Sequence, residues 1–430
     1  MTVQSDQSVR SKRRYQYILR NRNVRLLLLA DLVSYFGNGL HWITLSWYIL
    51  QVTNSPFSVG IYLVFASLPN ALTSPLAGAF ADQFNRRNMA LVMDFLRCAF
   101  VLLIVLLVLL TRPGTQISQV TSHPEIWVIY LLTALISCAD AFFGPAVFSL
   151  VPEITDKDHL TTVNSAINIA IQAGLLLGGA LAGYLLIAFS PAVLFAANAA
   201  TFLASGLCLA SIKYTPLIST ARSQLSVGSV VRDITAGVRY LGEHSLYAAL
   251  SFLFSINFVV LAVFNVLNPP LSINVLQAGS RGFGLMDASI GLGALLAGFL
   301  AIYLTTRWGE SVFLWLGYVG MALFAWLLGL TPNLSFALVF AFMLGISNTI
   351  SGIVYSSVLQ KTVADEYMGR MRSLVGLAST FLSSAVILAY GYAAEQGFVR
   401  WSWVLTGVVL MLLTAYALFI SRRWTRSTQS

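Results

Sequence analysis

Three acidic residues, Asp31, Asp94 and Asp140, lie inside long apolar stretches of this chain. An ionisable side chain in the hydrocarbon core of a bilayer costs roughly 2.5–3.5 kcal/mol on insertion scales, so each is a candidate functional residue. Removal of water disfavours the charged form of a carboxyl group, which lets such a group take up and release a proton. We predict that Asp31 and Asp140 exchange protons with water, and a structural hydrogen bond is the alternative role for each.

Asp94 differs from the other two acids because Arg97 follows it one helical turn later. Side chains three residues apart on a helix are neighbours, so these two can form an ion pair. We place the pair near the cytoplasmic mouth of its helix and interpret it as a gating or structural pair. With Arg97 placed near the mouth, no Lys or Arg lies deep in an apolar stretch. This argues against phosphorylated or multiply anionic substrates.

Polar side chains follow Asp31 at helical spacing. They are Ser34, Tyr35, Asn38, His41 and Trp42. Residues three and four apart share one face of a helix, and a polar face in a membrane points to a bundle interior or a water-filled cavity. We therefore predict that Asn38, His41 and Trp42 line a cavity.

The composition indicates a membrane protein. Hydrophobic residues make up 57% of the 430 residues and charged residues 10%, whereas a soluble domain carries about 25% charged residues. The three cysteines and four histidines are scattered, so neither a disulfide framework nor a metal site is expected. No cofactor is predicted. The net charge of +9 reflects membrane topology and not nucleic-acid binding.

Twelve apolar segments are long enough to cross about 30 Å of hydrocarbon as helices. They are 26–50, 57–81, 88–111, 125–149, 162–187, 191–212, 246–268, 284–306, 311–330, 334–358, 371–394 and 401–421. Twenty-one Lys and Arg residues fall on the side of the N-terminus and three on the opposite side. This bias predicts that both termini face the cytoplasm, in a multi-pass protein of the inner (plasma) membrane.

The longest internal connection divides the spans into two sets of six. The predicted domains are a basic cytoplasmic segment (1–25), an N-terminal six-helix bundle (26–212), a cytoplasmic linker with an amphipathic helix (213–245), a C-terminal six-helix bundle (246–421) and a cytoplasmic tail (422–430). Weak self-similarity links the halves, because Gly78–Asp82 with Arg87 aligns on Gly298–Ile302 with Arg307. The predicted fold class is all-α integral membrane, with two pseudo-symmetric halves and a site near the midplane between them.

The connection between the second and third spans, Gly78-Ala-Phe-Ala-Asp82-Gln-Phe-Asn85-Arg86-Arg87, resembles the signature loop of the major facilitator superfamily. Gln83 replaces a usual basic residue, and Asn85 replaces a usual glycine. Asparagine tolerates left-handed backbone angles, so we expect the turn to survive. The resemblance implies that Gly78, Asp82, Arg86 and Arg87 form a gating loop on the cytoplasmic side. The alternative is a short charged turn that only fixes topology.

The fifth span contains a glycine motif formed by Gly174, Gly178, Gly179 and Gly183. It resembles the glycine-rich motif of antiporters in the superfamily, although Gly179 stands where proline is usual. Ordinary close packing of helices is the alternative. The strings Asn21-Arg-Asn-Val-Arg-Leu, Val151-Pro-Glu and Asp365-Glu-Tyr-Met-Gly-Arg370 resemble the branch that contains macrolide-efflux proteins and siderophore exporters. In this superfamily the first, fourth, seventh and tenth spans line the cavity, which adds Asn257, Asn348 and Tyr355 as cavity candidates.

The resemblance implies a secondary transporter that works by alternating access, and not an enzyme. We expect proton-coupled efflux of a small amphipathic organic compound, such as a drug, a macrolide-like or a siderophore-like molecule, by a monomer in the lipid bilayer. An uptake symporter or a lipid transporter of the same fold remains open. A channel and an integral-membrane enzyme are further alternatives, but no catalytic cluster or nucleotide-binding loop is found.

Overall fold

The computed structural model describes residues 17–110, 124–213, 245–308, 310–362 and 365–427, together with residues 235 and 239. Within them the chain forms twelve long helices and no strand. We label these α1 Arg22–Thr53, α2 Pro56–Gln83, α3 Arg86–Leu110, α4 Pro124–Ile154, α5 Leu160–Ala188, α6 Pro191–Ala210, α7 Ser245–Pro270, α8 Gly279–Trp308, α9 Glu310–Leu330, α10 Leu334–Thr362, α11 Asp365–Glu395 and α12 Val399–Ser427. The amphipathic helix predicted in the linker lies outside the described residues.

Eleven of these helices are long and apolar enough to cross a membrane within the described residues. The remaining helix, α8, has 30 residues and is therefore about 45 Å long, which exceeds the thickness of the hydrocarbon core. A helix satisfies its own backbone hydrogen bonds, as a segment in lipid must. The chain is a multi-pass α-helical membrane protein, and the predicted all-helical architecture of twelve spans is confirmed.

The described residues divide into two compact units by their contacts. The first holds α1 up to Tyr48, α2 from Phe65, and α3 to α6; the second holds Ile49–Val64 and α7 to α12. In the first unit α3 packs on α4 and α6, and in the second α9 packs on α10 and α12. Each pairing recurs six helices later, as expected of pseudo-symmetric halves. The domain boundaries given above stay a prediction.

Glycine residues bring the backbones of α1 and α5 together inside the first unit. A Cβ atom added to Gly178 would lie 2.1 Å from the carbonyl oxygen of Phe36, and one added to Gly174 would lie 2.7 Å from that of Leu32. Small residues permit this approach because they place no side chain between the helices. All four glycines of the fifth-span motif are buried. The motif therefore packs helices, and any further role in antiport stays a prediction.

Candidate functional site

The first unit contains a buried ionic cluster centred on Arg97 of α3. The guanidinium group pairs with Asp94 one turn earlier on the same helix, and it donates a hydrogen bond of 2.6 Å to Oδ1 of Asp140 on α4. The Arg97 side chain is 1% exposed, whereas that of Asp140 is 34% exposed. Arg97 is the twelfth of the 25 residues of α3. The expectation that it lies near a mouth of the span, with no basic residue deep in the membrane, is wrong.

Aromatic rings and a hydroxyl group complete the cluster around Arg97. Its Cζ atom lies 4.0 Å from the ring centroid of Phe143 on α4 and 4.5 Å from that of Phe202 on α6. Guanidinium is weakly hydrated and stacks on aromatic faces, so it tolerates burial better than an ammonium group. Ser205 of α6 donates a hydrogen bond of 2.7 Å to Oδ2 of Asp94. Three helices therefore hold Arg97 between two carboxylates.

Asp31 of α1 lies near this cluster and interacts electrostatically with Asp94 and Arg97. It is 1% exposed, and neither of its carboxylate oxygens has a hydrogen-bond partner among the described residues. It borders a cavity of about 320 Å³ between α1, α4 and α5. An ionised carboxylate buried without a partner is costly. Asp31 is therefore a candidate for carrying a proton.

The polar stripe that was expected to share one face of α1 divides in the structure. Tyr35 lines the same cavity as Asp31. His41 instead lies against α6, where its ring centroid is 5.4 Å from that of Phe195. Both ring nitrogens of His41 are buried and have no hydrogen-bond partner among the described residues. Asn38 and Trp42 are half-buried and do not line the 320 Å³ cavity.

The second unit contains a network of uncharged polar groups. Nδ2 of Asn257 on α7 donates to the Tyr318 hydroxyl on α9 at 3.2 Å, and Oδ1 of Asn257 accepts a hydrogen bond of 2.6 Å from Ser351 on α10. Nδ2 of Asn348 donates to the Asn257 carbonyl at 3.0 Å. Asn257 and Asn348 border a cavity of about 580 Å³. The arrangement offers hydrogen bonds but no fixed charge.

Aromatic side chains form part of the wall of this second cavity. Phe254 and Phe258 line it, and their ring centroids are 5.2 Å apart. Tyr355 stacks on Phe254 with ring centroids 4.1 Å apart. Tyr355 is itself buried and lies behind the lining residues. The predicted cavity residues of the second half are thus close together, with Tyr355 supporting the wall.

A fourth membrane acid, Asp287 of α8, was missed by sequence reasoning. The span was expected to begin at residue 284, where Asp287 would lie in the first turn. The structure begins α8 at Gly279, so Asp287 is the ninth residue of the helix and is half-buried. The signal that could have revealed it is an acid between two apolar runs, four residues before Gly291.

Two basic residues at the start of α3 contact other segments of the same unit. Arg86 forms an ion pair with Glu153 of α4, and Nη1 of Arg87 donates to the carbonyl of Ile212 at 2.8 Å. Gly78 and Asp82 lie in α2, and their side chains lie outside what the structure describes. These contacts anchor the start of α3, while the role of the signature loop as a gate stays a prediction.

Asn85 preserves the turn by a different means from the one expected. It does not adopt the left-handed backbone conformation that glycine would supply. Its Oδ1 atom accepts a hydrogen bond of 3.1 Å from the backbone N–H of Asn88. Such a bond satisfies one of the free amides at the start of a helix. Asn85 thus caps α3.

Two helical units that cross a membrane, one with an ionic cluster and one with a neutral polar cavity, define a polytopic membrane transporter. A profile of the Major Facilitator Superfamily matches residues 27–387. The chain belongs to this superfamily, which confirms the predicted family, and it is a transporter and not an enzyme.

Relatives and solved structures agree with this assignment. Macrolide efflux protein A of Streptococcus pyogenes is 19% identical over 386 residues, which cover 89% of this chain and 91% of that protein. The enterobactin exporter EntS of Escherichia coli O1:K1 / APEC is 22% identical over 403 residues, which cover 90% and 91%. These matches confirm the predicted branch. A crystal structure of the nucleoside transporter NupG has a TM-score of 0.72 at 13% identity, covering 92% of this chain and 98% of that one, and it supports the fold alone.

Proposed function

We propose that this protein is a proton-coupled exporter of small amphipathic organic compounds that works by alternating access. The observation that carries the proposal is the group of three carboxyls around one guanidinium within the first unit. Asp31 has no hydrogen-bond partner among the described residues, and Asp140 shares Arg97 with Asp94. The group contains three carboxyls and one guanidinium, so when all are ionised its net negative charge favours binding of a proton.

Asp140 and Asp31 suit different steps of proton exchange. The Asp140 side chain is 34% exposed and Asp31 is 1% exposed, so Asp140 is the more accessible of the two to a proton. A proton on Asp140 would weaken its bond to Arg97, and Arg97 would then interact more strongly with Asp94. Asp31 is close enough to sense this change electrostatically. A proton gradient can drive transport in this way because protonation changes contacts among α1, α3 and α4.

Export is favoured by the relatives and by the charge distribution. The relatives named above include exporters of a macrolide and of enterobactin. The excess of Lys and Arg on the N-terminal side favours cytoplasmic termini in the plasma membrane. In that orientation Asp31, the tenth of the 32 residues of α1, lies in the half of the bilayer nearer the cytoplasm. We further propose a monomer whose loop with Asp82, Arg86 and Arg87 acts as the cytoplasmic gate.

The test is transport by purified protein in proteoliposomes, with a panel of amphipathic compounds and an imposed pH difference. We expect uphill movement of at least one compound towards the acidic compartment, and its abolition when nigericin collapses the pH difference. Protein-free liposomes control for passive partition of weak bases. Movement of the whole panel at the same rate with and without the pH difference would contradict proton coupling.

A further inference from the structure

We propose that Asn348 of α10 determines the specificity of the 580 Å³ cavity and selects uncharged aromatic compounds that donate a hydrogen bond. This inference rests on the proposed transport function and names the substrate class. The wall of the cavity includes Phe254, Asn257 and Phe258 from α7, and Asn348 from α10. The volume lies within the range of ligand sites, about 300–1,000 Å³.

The side-chain amide of Asn348 has one fixed orientation. One of its terminal atoms lies 3.0 Å from the backbone carbonyl oxygen of Asn257 and 3.5 Å from the sulfur of Met321. A carbonyl oxygen can only accept a hydrogen bond, so this terminal atom is Nδ2 and the other is Oδ1. Oδ1 accepts no hydrogen bond from the described residues, and unlike the carboxylate oxygens of Asp31 it is not a buried atom. Asn348 therefore offers the cavity an acceptor and keeps its donors for other helices.

The polar groups beside Asn348 agree with this preference. The Ser356 hydroxyl donates to the carbonyl oxygen of Gly352 at 2.9 Å, so its Oγ atom can only accept a hydrogen bond from a ligand. Thr349 and Ser357 contribute hydroxyl groups, which can accept as well as donate. None of the described residues that line this cavity is ionisable. A charged ligand would find no counter-charge there, which favours an uncharged donor.

Gly352 leaves space for a ligand between Asn348 and Ser356. The three residues are four positions apart on α10, so they lie on one face of the helix. A Cβ atom added to Gly352 would meet nothing within 4 Å, whereas one added to Gly345 would lie 2.1 Å from the carbonyl oxygen of Ile290. Gly345 therefore packs against another helix, and Gly352 faces open space. A larger side chain at Gly352 would fill the cavity without displacing a helix.

The rings of α7 suit the aromatic body of such a ligand. Phe254 and Phe258 lie edge to face, with their planes at 82°. Tyr355 stacks on Phe254, which restricts the movement of that ring. Phe258 is 43% exposed, so it is accessible to a ligand. Aromatic rings gain energy from stacked and edge-to-face contacts. The wall therefore favours an aromatic compound whose donor group reaches Asn348.

The experiment measures binding to the full-length protein in detergent by equilibrium dialysis, with protein-free micelles as the blank. Two isomeric probes share one naphthalene core: the hydroxymethyl compound donates a hydrogen bond, and the methoxy compound can only accept one. We expect the hydroxymethyl isomer to bind about fivefold more tightly, as one net hydrogen bond would give. Asn348→Leu should abolish this preference and still bind the methoxy isomer. An aminomethyl analogue, which is a charged donor, should bind more weakly than the hydroxymethyl probe.

A second variant keeps the proposal testable if Asn348→Leu does not fold. Gly352→Leu preserves the hydrogen bonds of Asn348 and should abolish binding of both isomers. Gly376→Leu on α11 is the matched control, because a Cβ atom added there also meets nothing within 4 Å and Gly376 does not line this cavity. It should bind as wild type.

Three results would overturn the inference. They are equal binding of the two isomers by wild type, an unchanged preference in a folded Asn348→Leu variant, and tightest binding of the aminomethyl analogue. Wild-type binding by Gly352→Leu would show that the ligand lies elsewhere. Failure of the proposed function looks different, because no compound would then move with the pH difference in proteoliposomes, whatever the binding preference in detergent.

Discussion

The two units use the same helix pairings with different chemistry. The first holds three carboxyls around Arg97, and the second holds the uncharged network of Asn257, Tyr318, Asn348 and Ser351. A neutral network keeps one arrangement over a wide pH range, whereas carboxyls respond to protons. This difference is the reason why we propose proton coupling for the first unit and not for the second.

Equivalent helix pairs differ in the same way. In the first unit glycines bring the backbones of α1 and α5 into contact, as at Gly178 and Phe36. In the second unit, α7 and α11 are joined by a hydrogen bond of 2.8 Å from the Ser379 hydroxyl to that of Ser255. Close backbone packing therefore holds the α1–α5 pair, and a side-chain hydrogen bond joins the α7–α11 pair. Mutations can test the two contributions separately.

The largest effect is expected from Arg97→Gln in the first unit. The substitution leaves Asp94 buried without a counter-charge, which costs about 3–5 kcal/mol. We expect a large loss of stability when unfolding is followed in mixed micelles. Adding Asp94→Asn to the same chain should recover much of the loss because the stranded charge is gone. Wild-type stability of the single variant would show that the cluster is not the ionised group described here.

A smaller effect is expected from Gly178→Ala on α5. The added Cβ would lie 2.1 Å from the carbonyl oxygen of Phe36, so the two backbones must separate, and overpacking of this kind costs about 1–3 kcal/mol. Gly144→Ala on α4 is the control, because its Cβ would meet nothing within 4 Å. When unfolding is followed in mixed micelles, we expect Gly178→Ala to be less stable than Gly144→Ala. Equal stability would contradict the close packing of α1 and α5.

A third prediction concerns Ser379→Ala, at the equivalent helix pair of the second unit. It removes the hydrogen bond to Ser255, and bonds between membrane helices contribute about 0.6 kcal/mol on average. We expect a smaller loss than for Gly178→Ala in the same unfolding assay. A larger loss would reverse the ranking of the two helix pairs.

The smallest effect is expected from Asp287→Asn, the acid of α8. The proposed coupling groups all lie in the first unit, so proton-driven transport should match wild type within error. Initial rates of uptake into proteoliposomes at a fixed pH difference provide the measurement. Loss of transport in a folded Asp287→Asn variant would show that the second unit takes part in proton coupling.

The twelve-helix fold was predictable because the length and apolar character of each span are local properties of the sequence. The pairing of Asp94 with Arg97 was also visible, because three residues separate them on one helix. The bond from Arg97 to Asp140 was not, since it depends on how α3 and α4 rotate against each other.

Other parts of the site depended on details that a sequence does not show. The direction of His41 towards α6 depends on which side of α1 meets that helix. Asp287 was missed because the start of α8 was placed five residues too late. Asn85 caps α3 by its side chain, a contact that substitutes for the backbone freedom of glycine.

The most direct test of the first unit as the proton-coupling unit is the pH change that substrate causes in proteoliposomes. It compares wild type with Asp31→Asn and Asp140→Asn, after the melting temperatures of the purified proteins have shown that all three are folded. We predict a clear pH change on substrate addition for wild type and none for either variant. Unchanged proton flux in both variants would contradict the assignment.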